Sequence, residues 1–182
     1  IKIINSPSKN IVTLEEPVEY MLPGVNQIQI NSKVGLTYAS GIRSILRQDP
    51  NVLMIGEIRD PDTAEMLIRA ALTGHLVFST LHTNRAAGTV SRLLEMGVEP
   101  YLLASCLIGV ISQTLVRKIC VHCKKPYLPT KSERELLGIT DHDTILWKGQ
   151  GCDKCSYTGY KGRIVAAEIL RIDDDIRKCI MD

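Results

Sequence analysis

Four of the chain's six cysteines form two Cys-x-x-Cys pairs, which restrict how the segment around them can fold. The pairs are Cys120-Val-His-Cys123 and Cys152-Asp-Lys-Cys155, and residues 124–151 lie between them. A Cys-x-x-Cys turn directs two thiolates at one ion, and two such turns complete a closed tetrahedral Zn²⁺ site. The spacing therefore predicts a structural zinc site with these four cysteines as its ligands.

Disulfides, solitary thiols or a redox pair are the alternative uses of these cysteines. Residues 1–4 do not have the pattern of a secretory signal peptide, so we expect a reducing compartment, which disfavours disulfides. A redox site needs only one Cys-x-x-Cys pair. His122 is interpreted as a bystander between two ligands, and Cys106 as a core residue of an apolar helix.

The composition is that of a globular protein, with 45% hydrophobic and 23% charged residues, which excludes a disordered or collagen-like chain. A net charge of +2 and 4% aromatic residues disfavour a nucleic-acid-binding protein. The most apolar stretch, residues 101–111, is shorter than the roughly 20 residues that a membrane helix needs. The chain begins with Ile1 rather than Met, so we expect it to be part of a longer protein.

Short apolar runs alternate with helical patterns over the first 115 or so residues, which is typical of an α/β fold. Residues 11–14, 52–55 and 75–81 have the pattern of buried strands, and residues 25–30 alternate like an edge strand or hairpin arm. The segment from 120 to 160 is rich in Cys, Lys, Gly and Pro, which indicates a small irregular subdomain.

Several side chains are expected to begin helices. Thr37, Asp60 and Asn84 are predicted N-caps, with a proline directly after Asp60. Pro100 is predicted to open a long apolar helix that ends near residue 118. The remaining expected elements are a helix over residues 132–137, a strand over residues 162–170 and a final helix capped by Asp173.

Polar side chains follow the predicted strands where each strand ends. Glu15 and Glu57 follow two apolar strands, and the exit of a third carries Thr80 and His82. Ligands collect at the carboxyl ends of strands in open α/β sheets, and nucleoside triphosphatases place there the acids that hold Mg²⁺ and polarise the attacking water. The alternatives are a solvated loop acid for either carboxylate and a structural histidine for His82.

Arg43 and Arg47 lie one helical turn apart, a spacing that suits a phosphate anion. The alternative is an ordinary exposed basic face. The phosphate-cradling pattern G-x-x-x-x-G-K-[ST] does not occur in the chain. If the protein is a nucleoside triphosphatase, we expect that loop upstream of Ile1.

Taken together, these motifs resemble the secretion ATPase superfamily, specifically the type II secretion and type IV pilus assembly ATPases. Residues 11–20 look like the family's Asp box, residues 46–60 like its Walker B segment and residues 73–84 like its His box. The four paired cysteines match the zinc module of the assembly and secretion branch, which pilus retraction ATPases generally lack. The chain departs from the family in Glu16, where the Asp box usually has Asp, and in lacking Walker A.

The resemblance implies the C-terminal part of a RecA-like P-loop ATPase core, of the α/β class, with a small Cys₄ zinc subdomain. Its implied divisions are an ATPase core over residues 1–118, a zinc subdomain over 119–162, and a strand and helix over 163–182. Without Walker A, we expect this part alone to be nearly inactive.

The resemblance also implies roles for individual residues. Glu57 would order or deprotonate the attacking water, and Glu15 would help to hold Mg²⁺ or that water. His82, with Thr80, would sense the terminal phosphate of ATP. The arginines implied to reach phosphate, in their own subunit or a neighbouring one, are Arg43, Arg47 and Arg59.

The implied cofactors are ATP, Mg²⁺ and Zn²⁺. The full protein would be a homo-hexamer that works with inner-membrane platform and cytoplasmic-ring proteins, without nucleic acid and with membrane contact only through partners. It would be cytoplasmic, peripheral to the inner membrane, and would drive pseudopilus or pilus assembly. The alternative function is a zinc-bearing interaction module that docks to the platform proteins.

Overall fold

The structure is a computed structural model that describes residues 1–181 and divides into two compact units. Residues 1–112 and 168–181 form the first unit, and residues 113–167 form the second. The first unit contains a parallel sheet with helices, which confirms the predicted α/β class. The domain divisions expected from the sequence remain a prediction.

One parallel sheet organises the first unit, with the strand order β2-β1-β3-β4. Its register places Leu14 opposite Ile55, and Ile55 opposite Ser79. The residues that follow these three positions therefore leave the sheet side by side. The strands are β1 (Ile11–Glu15), β2 (Asn26–Gln29), β3 (Val52–Ile55) and β4 (Leu76–Ser79).

The other elements are helices and two strand pairs. The helices are α1 (Tyr38–Ile45), α2 (Pro61–Leu72), α3 (Ala86–Glu95), α4 (Pro100–Cys106), α5 (Lys131–Leu137) and α6 (Asp174–Met181). The further strands are β5 (Gly109–Ile119), which pairs with β8 (Tyr160–Arg171), and β6 (Lys124–Tyr127), which pairs antiparallel with β7 (Leu146–Gly149). Short 3₁₀ turns cover Ser32–Val34, Leu46–Gln48 and Asp153–Cys155.

Three predicted helix starts are confirmed by side-chain caps. The Thr37 hydroxyl accepts a hydrogen bond from the backbone N–H of Ser40, and the Ser40 hydroxyl accepts one from the backbone N–H of Thr37. Asp60 caps α2, and Asp173 accepts from a backbone N–H at the start of α6. Each cap satisfies a backbone donor that the helix leaves free and is worth about 1 kcal/mol.

The core of the first unit lies on both sides of the sheet's central strands. Leu14, Leu53 and Ile55 have no solvent exposure, and Ile42 of α1 packs against them. A second cluster joins α2 to the later helices, with Leu103 of α4 at its centre. Burying side chains of this size stabilises a fold by about 1.5–3 kcal/mol each, so the β1–β3 pair is held firmly.

Two element predictions were wrong. The helix from Pro100 ends at Cys106 rather than near residue 118, because Gly109 begins the long strand β5 and its β-branched residues pair with β8. The predicted N-cap at Asn84 is also wrong, since α3 begins after Arg85, whose side chain makes no capping hydrogen bond. An apolar run alone does not separate a helix from a buried strand.

Strand β4 also differs from its prediction, since it is only partly buried. It forms an edge of the sheet, and 41% of Phe78 is exposed. Residues 75–81 were predicted as a buried strand, and they contain the apolar run Leu76-Val77-Phe78. No helix among residues 1–181 combines the length and the hydropathy that a membrane span requires.

The second unit is built differently, around cysteines instead of aliphatic side chains. Within residues 113–167, all of which the structure describes, the buried hydrophobic side chains are Cys120, Cys123 and Cys155. The neighbouring Cys152 packs against them. Helix α5 has no buried residue, although Thr130 and Glu133 form a capping box at its start.

Candidate functional site

Glu15 ends β1 with one carboxylate oxygen held in place. Its Oε1 accepts hydrogen bonds from the Thr13 hydroxyl at 2.6 Å and from Gln27 Nε2 at 2.9 Å. Thr13 is fully buried, so the first of these donors is fixed by the core. The carboxylate therefore has a defined orientation, and Oε2, which has no hydrogen-bond partner within residues 1–181, can serve as a ligand for a cation or a water molecule.

Glu57, two residues beyond β3, stands between two basic side chains. Its Oε1 lies 2.5 Å from Arg59 Nη2, and its Oε2 lies 3.4 Å from His82 Nε2. Arg59 also reaches Glu16 at 3.2 Å, so one guanidinium bridges the ends of β1 and β3. The structure thus brings Glu57, Arg59 and His82 together in direct contact.

The charge state of Glu57 follows from these neighbours. The hydrogen bond from Arg59 lowers the pKa of Glu57, partly opposed by burial, and the charges of Arg59 and His82 lower it further. The carboxyl group is therefore ionised at neutral pH. An ionised carboxylate accepts strong hydrogen bonds because it is charged, but a lowered pKa makes it a weaker proton acceptor.

The segment after β4 is fastened to the end of β3. The Thr80 hydroxyl donates to the Gly56 carbonyl at 2.6 Å, and the Ile58 N–H donates to the Thr80 carbonyl at 3.0 Å. Ser79 adds a bond to the Ile55 carbonyl. These bonds set the position from which His82, whose side chain is 90% exposed, contacts Glu57.

Tyr38 is a neighbour of this cluster that the sequence reasoning missed. Its side chain is 92% buried, and a Cβ atom on Gly56 would lie only 2.8 Å from its hydroxyl oxygen. Burial raises the pKa of Tyr38, and the negative charges of Glu16 and Glu57 raise it further, so the hydroxyl keeps its proton. Its charged neighbours Glu16 and Glu57 come from other elements, so no pattern in the adjacent residues marked it.

Arg43 and Arg47 lie elsewhere on the first unit. Arg43 lines a shallow surface depression together with Asp62 and Glu65 of α2. Within residues 1–181, no hydrogen bond or ion pair joins Arg43 or Arg47 to Glu57. Their assignment to phosphate remains a prediction, and Arg59 is the arginine that lies beside the acids.

The four paired cysteines meet at one point of the second unit. Their sulfur atoms all lie within 4.8 Å of one another, and none forms a disulfide. Three of the Sγ–Sγ distances are 3.9 Å for Cys120–Cys152, 3.9 Å for Cys123–Cys155 and 3.7 Å for Cys152–Cys155. A Zn–S bond of about 2.3 Å gives a regular tetrahedron with sulfur–sulfur edges of about 3.8 Å. The sulfur spacing therefore fits zinc, and a disulfide bond of about 2 Å does not.

The environment of the thiols differs within the cluster. Burial raises the pKa of the Cys152 thiol to about 11. Burial acts in the same direction on Cys155, but hydrogen bonds from backbone N–H groups and from the Cys152 thiol outweigh it and lower its pKa to about 6. Four thiols this close must share protons among their sulfur atoms. A bound metal ion would displace those protons and hold all four groups as thiolates.

Comparison with known sequences assigns the chain to a family. The family model described as "Type II/IV secretion system protein" matches residues 1–182. The chain is 50% identical to the type IV pilus assembly ATPase PilB of Thermus thermophilus over 100% of its own length, and covers 21% of that protein. It is also 50% identical to the type II secretion system protein E of Dickeya dadantii, over 97% of its length and 35% of that relative.

Solved structures agree on the fold. The pilus retraction motor PilT with bound ADP superimposes with a TM-score of 0.71 at 31% identity, over 99% of this chain and 44% of PilT. The Legionella pneumophila ATPase DotB has the same fold, with a TM-score of 0.63 at 23% identity, over 98% of this chain and 41% of DotB. The family model covers the full chain. The chain therefore belongs to the type II/IV secretion system protein family, and it spans roughly a fifth to a third of the relatives it matches.

Proposed function

We propose that this chain is part of an ATPase motor that drives pseudopilus or type IV pilus assembly. The observation that carries the proposal is the meeting of Glu57 with Arg59 and His82 beside Glu15, at the carboxyl ends of the parallel strands β1 and β3. Two relatives at 50% identity are named for pilus assembly and type II secretion, which supports both cargo systems equally.

The charge pattern of the cluster suits ATP hydrolysis. Glu57 is held ionised, so it would orient and polarise the attacking water through a strong hydrogen bond. Glu15 would hold Mg²⁺, or water bound to it, through the oxygen that Thr13 and Gln27 leave available. Mg²⁺ would supply neutralisation of phosphate charge.

The basic groups beside Glu57 would face the phosphates. His82 has an exposed ring that would reach the terminal phosphate while its Nε2 keeps contact with Glu57. The Thr80 hydroxyl is donated to a carbonyl, so its part would be to fix the segment that carries His82. Arg59 would exchange one of its carboxylate partners for phosphate. In a homo-hexamer, Arg43 and Arg47 would reach the phosphate bound to a neighbouring subunit.

The loop that binds the phosphates of ATP would lie outside these 182 residues. The chain covers a minor part of its relatives, so the remaining length leaves room for such a loop. A motor that consumes ATP would work in the cytoplasm, and we propose that it acts at the inner membrane together with platform and ring proteins, as the family resemblance implies. The isolated chain would be nearly inactive.

The experiment that tests the proposal uses the full-length protein that contains this chain. Replacing the ionised carboxylate in Glu57→Gln is expected to lower ATP turnover by at least about a hundredfold while ATP binding persists. Glu65→Gln is the matched control, because Glu65 is a paired but exposed acid on α2. Unchanged turnover in Glu57→Gln would refute the role of this residue.

The second unit favours an additional function as a docking module. Residues 113–167 contain ten basic and five acidic residues, a net charge of +5, while the rest of the chain carries −3. Its surface also exposes Trp147, which lies under the Lys124 ammonium at 4.1 Å. We propose that this basic surface, with Zn²⁺ holding its four cysteines, binds an acidic partner protein of the assembly machine.

Charge reversal in Lys124→Glu should reduce secretion or pilus assembly more than basal ATP hydrolysis. An equal loss of both activities would contradict docking.

A further inference from the structure

Helix α3 begins without a cap of its own. Its N-cap residue, Arg85, makes no side-chain hydrogen bond to the helix, and the first turn contains no acidic residue. A helix start leaves backbone N–H groups without partners and carries partial positive charge. The uncapped start of α3 lies four residues after His82, so it belongs to the segment that carries this histidine.

A carboxylate from a distant part of the chain supplies that cap. Glu168 Oε2 accepts a hydrogen bond from the Ala86 N–H at 2.9 Å. Glu168 lies on β8, and Ala86, which is fully buried, is the first residue of α3. An ionised acceptor at a helix N-terminus forms a stronger bond than a neutral one. Ser112 on the partner strand β5 adds a longer bond of 3.4 Å to the Asn84 carbonyl.

The segment with His82 is therefore held at two ends. Towards β4, Thr80 is bonded to Gly56 and Ile58. Towards α3, Glu168 holds the Ala86 amide, and the hydroxyls of Thr83 and Thr89 lie 2.8 Å apart. The histidine between these ends has an exposed side chain whose ion pair in the described chain is the one with Glu57. Its placement thus depends on the backbone that carries it.

We propose that Glu168 is a positioning residue that keeps His82 against Glu57 by capping α3. The inference deepens the proposed function and rests on it for its consequence in catalysis. Loss of the cap would let the start of α3 fray and the histidine leave the carboxylate. Misplacement of a reacting group by about 1 Å is enough to lower a rate by up to a hundredfold.

The test compares three variants of the full-length protein by amide hydrogen exchange and by steady-state ATP hydrolysis. Glu168→Ala removes the acceptor, Glu168→Gln keeps an oxygen that can accept from Ala86, and Glu95→Ala removes an equal charge from the exposed end of the same helix. We expect Glu168→Ala to raise exchange at Ala86 about tenfold. We expect kcat to fall about tenfold with KM for ATP unchanged.

The variants separate positioning from a general loss of structure. Glu168→Gln should restore most of the protection and of kcat, and Glu95→Ala should leave both unchanged. Unchanged exchange at Ala86 in Glu168→Ala would overturn the proposal, as would an equal loss in Glu168→Gln. If the parent protein does not hydrolyse ATP, the proposed function fails by that result, while exchange at Ala86 still decides whether Glu168 fixes this segment.

Discussion

The two units of the chain reach order by opposite means. The first unit buries aliphatic side chains from the central strands and from most of its helices, with Leu14, Leu53 and Ile55 fully enclosed. The second unit buries cysteines, and its larger hydrophobic side chains, such as Leu136 at 86% and Val121 at 70% exposure, face solvent. A core of thiols cannot supply the hydrophobic stabilisation that aliphatic burial supplies. We therefore expect the first unit to be stable through packing alone and the second unit to depend on a metal ion held by its four cysteines.

Removing the metal should have the largest effect of the changes considered, and the loss of structure should be confined to the second unit. We expect about one Zn²⁺ per chain in metal analysis. A chelator should abolish hydrogen-exchange protection in residues 113–167 and leave β1 and β3 protected, since folding of such sites is coupled to metal binding. The Cys152→Ser variant should behave likewise.

The control for this prediction is Cys179→Ser, because Cys179 is exposed on α6 and outside the cluster. It should keep both the zinc and the protection. Full protection of residues 113–167 after complete removal of metal would contradict the contrast between the two units.

A core substitution should break the first unit and spare the second. Leu53→Ala leaves a cavity at the centre of β3, where the side chain has no exposure, and should lower the free energy of unfolding by about 2–5 kcal/mol. Urea denaturation measures the loss, and zinc content should not change. Leu136→Ala, a substitution of the same type on exposed α5, should stay within about 0.5 kcal/mol. Release of zinc by Leu53→Ala would show that the units are not independent.

The smallest expected effect concerns the ion pair at the site. The pKa of Glu57 is lowered mainly by its hydrogen bond from Arg59, so the pair contributes stability above the ordinary carboxyl pKa and loses it as pH falls through the lowered value. Arg59→Ala should raise the pKa of Glu57 in a carboxyl-detected NMR titration. Arg69→Ala, which removes an exposed pair on α2, should not move it. A Glu57 titration that is the same in both variants would contradict the pairing.

Local patterns carried much of the prediction. The acids at the ends of β1 and β3 and the caps at Thr37 and Asp60 depend on a few adjacent residues, and the structure has them where the sequence placed them. The cysteines could also be grouped, because two turns of fixed geometry imply a common centre. These features need no knowledge of distant contacts.

Features that depend on distant residues were missed. The cap of α3 comes from Glu168, far along the chain, so the local sequence of residues 84–86 predicted Asn84 instead. Strand β5 was wrongly predicted as a helix because its partner β8 lies about 50 residues later and the apolar pattern alone is ambiguous. Tyr38 was missed since its neighbours Glu16 and Glu57 come from other elements.

The most direct test of the central claim is a structure of the full-length protein with Mg²⁺ and a non-hydrolysable ATP analogue. The account predicts the terminal phosphate within hydrogen-bond reach of His82, with Mg²⁺ or an ordered water between it and the carboxylates of Glu15 and Glu57. A nucleotide bound with its terminal phosphate at any other face of the sheet would contradict the account.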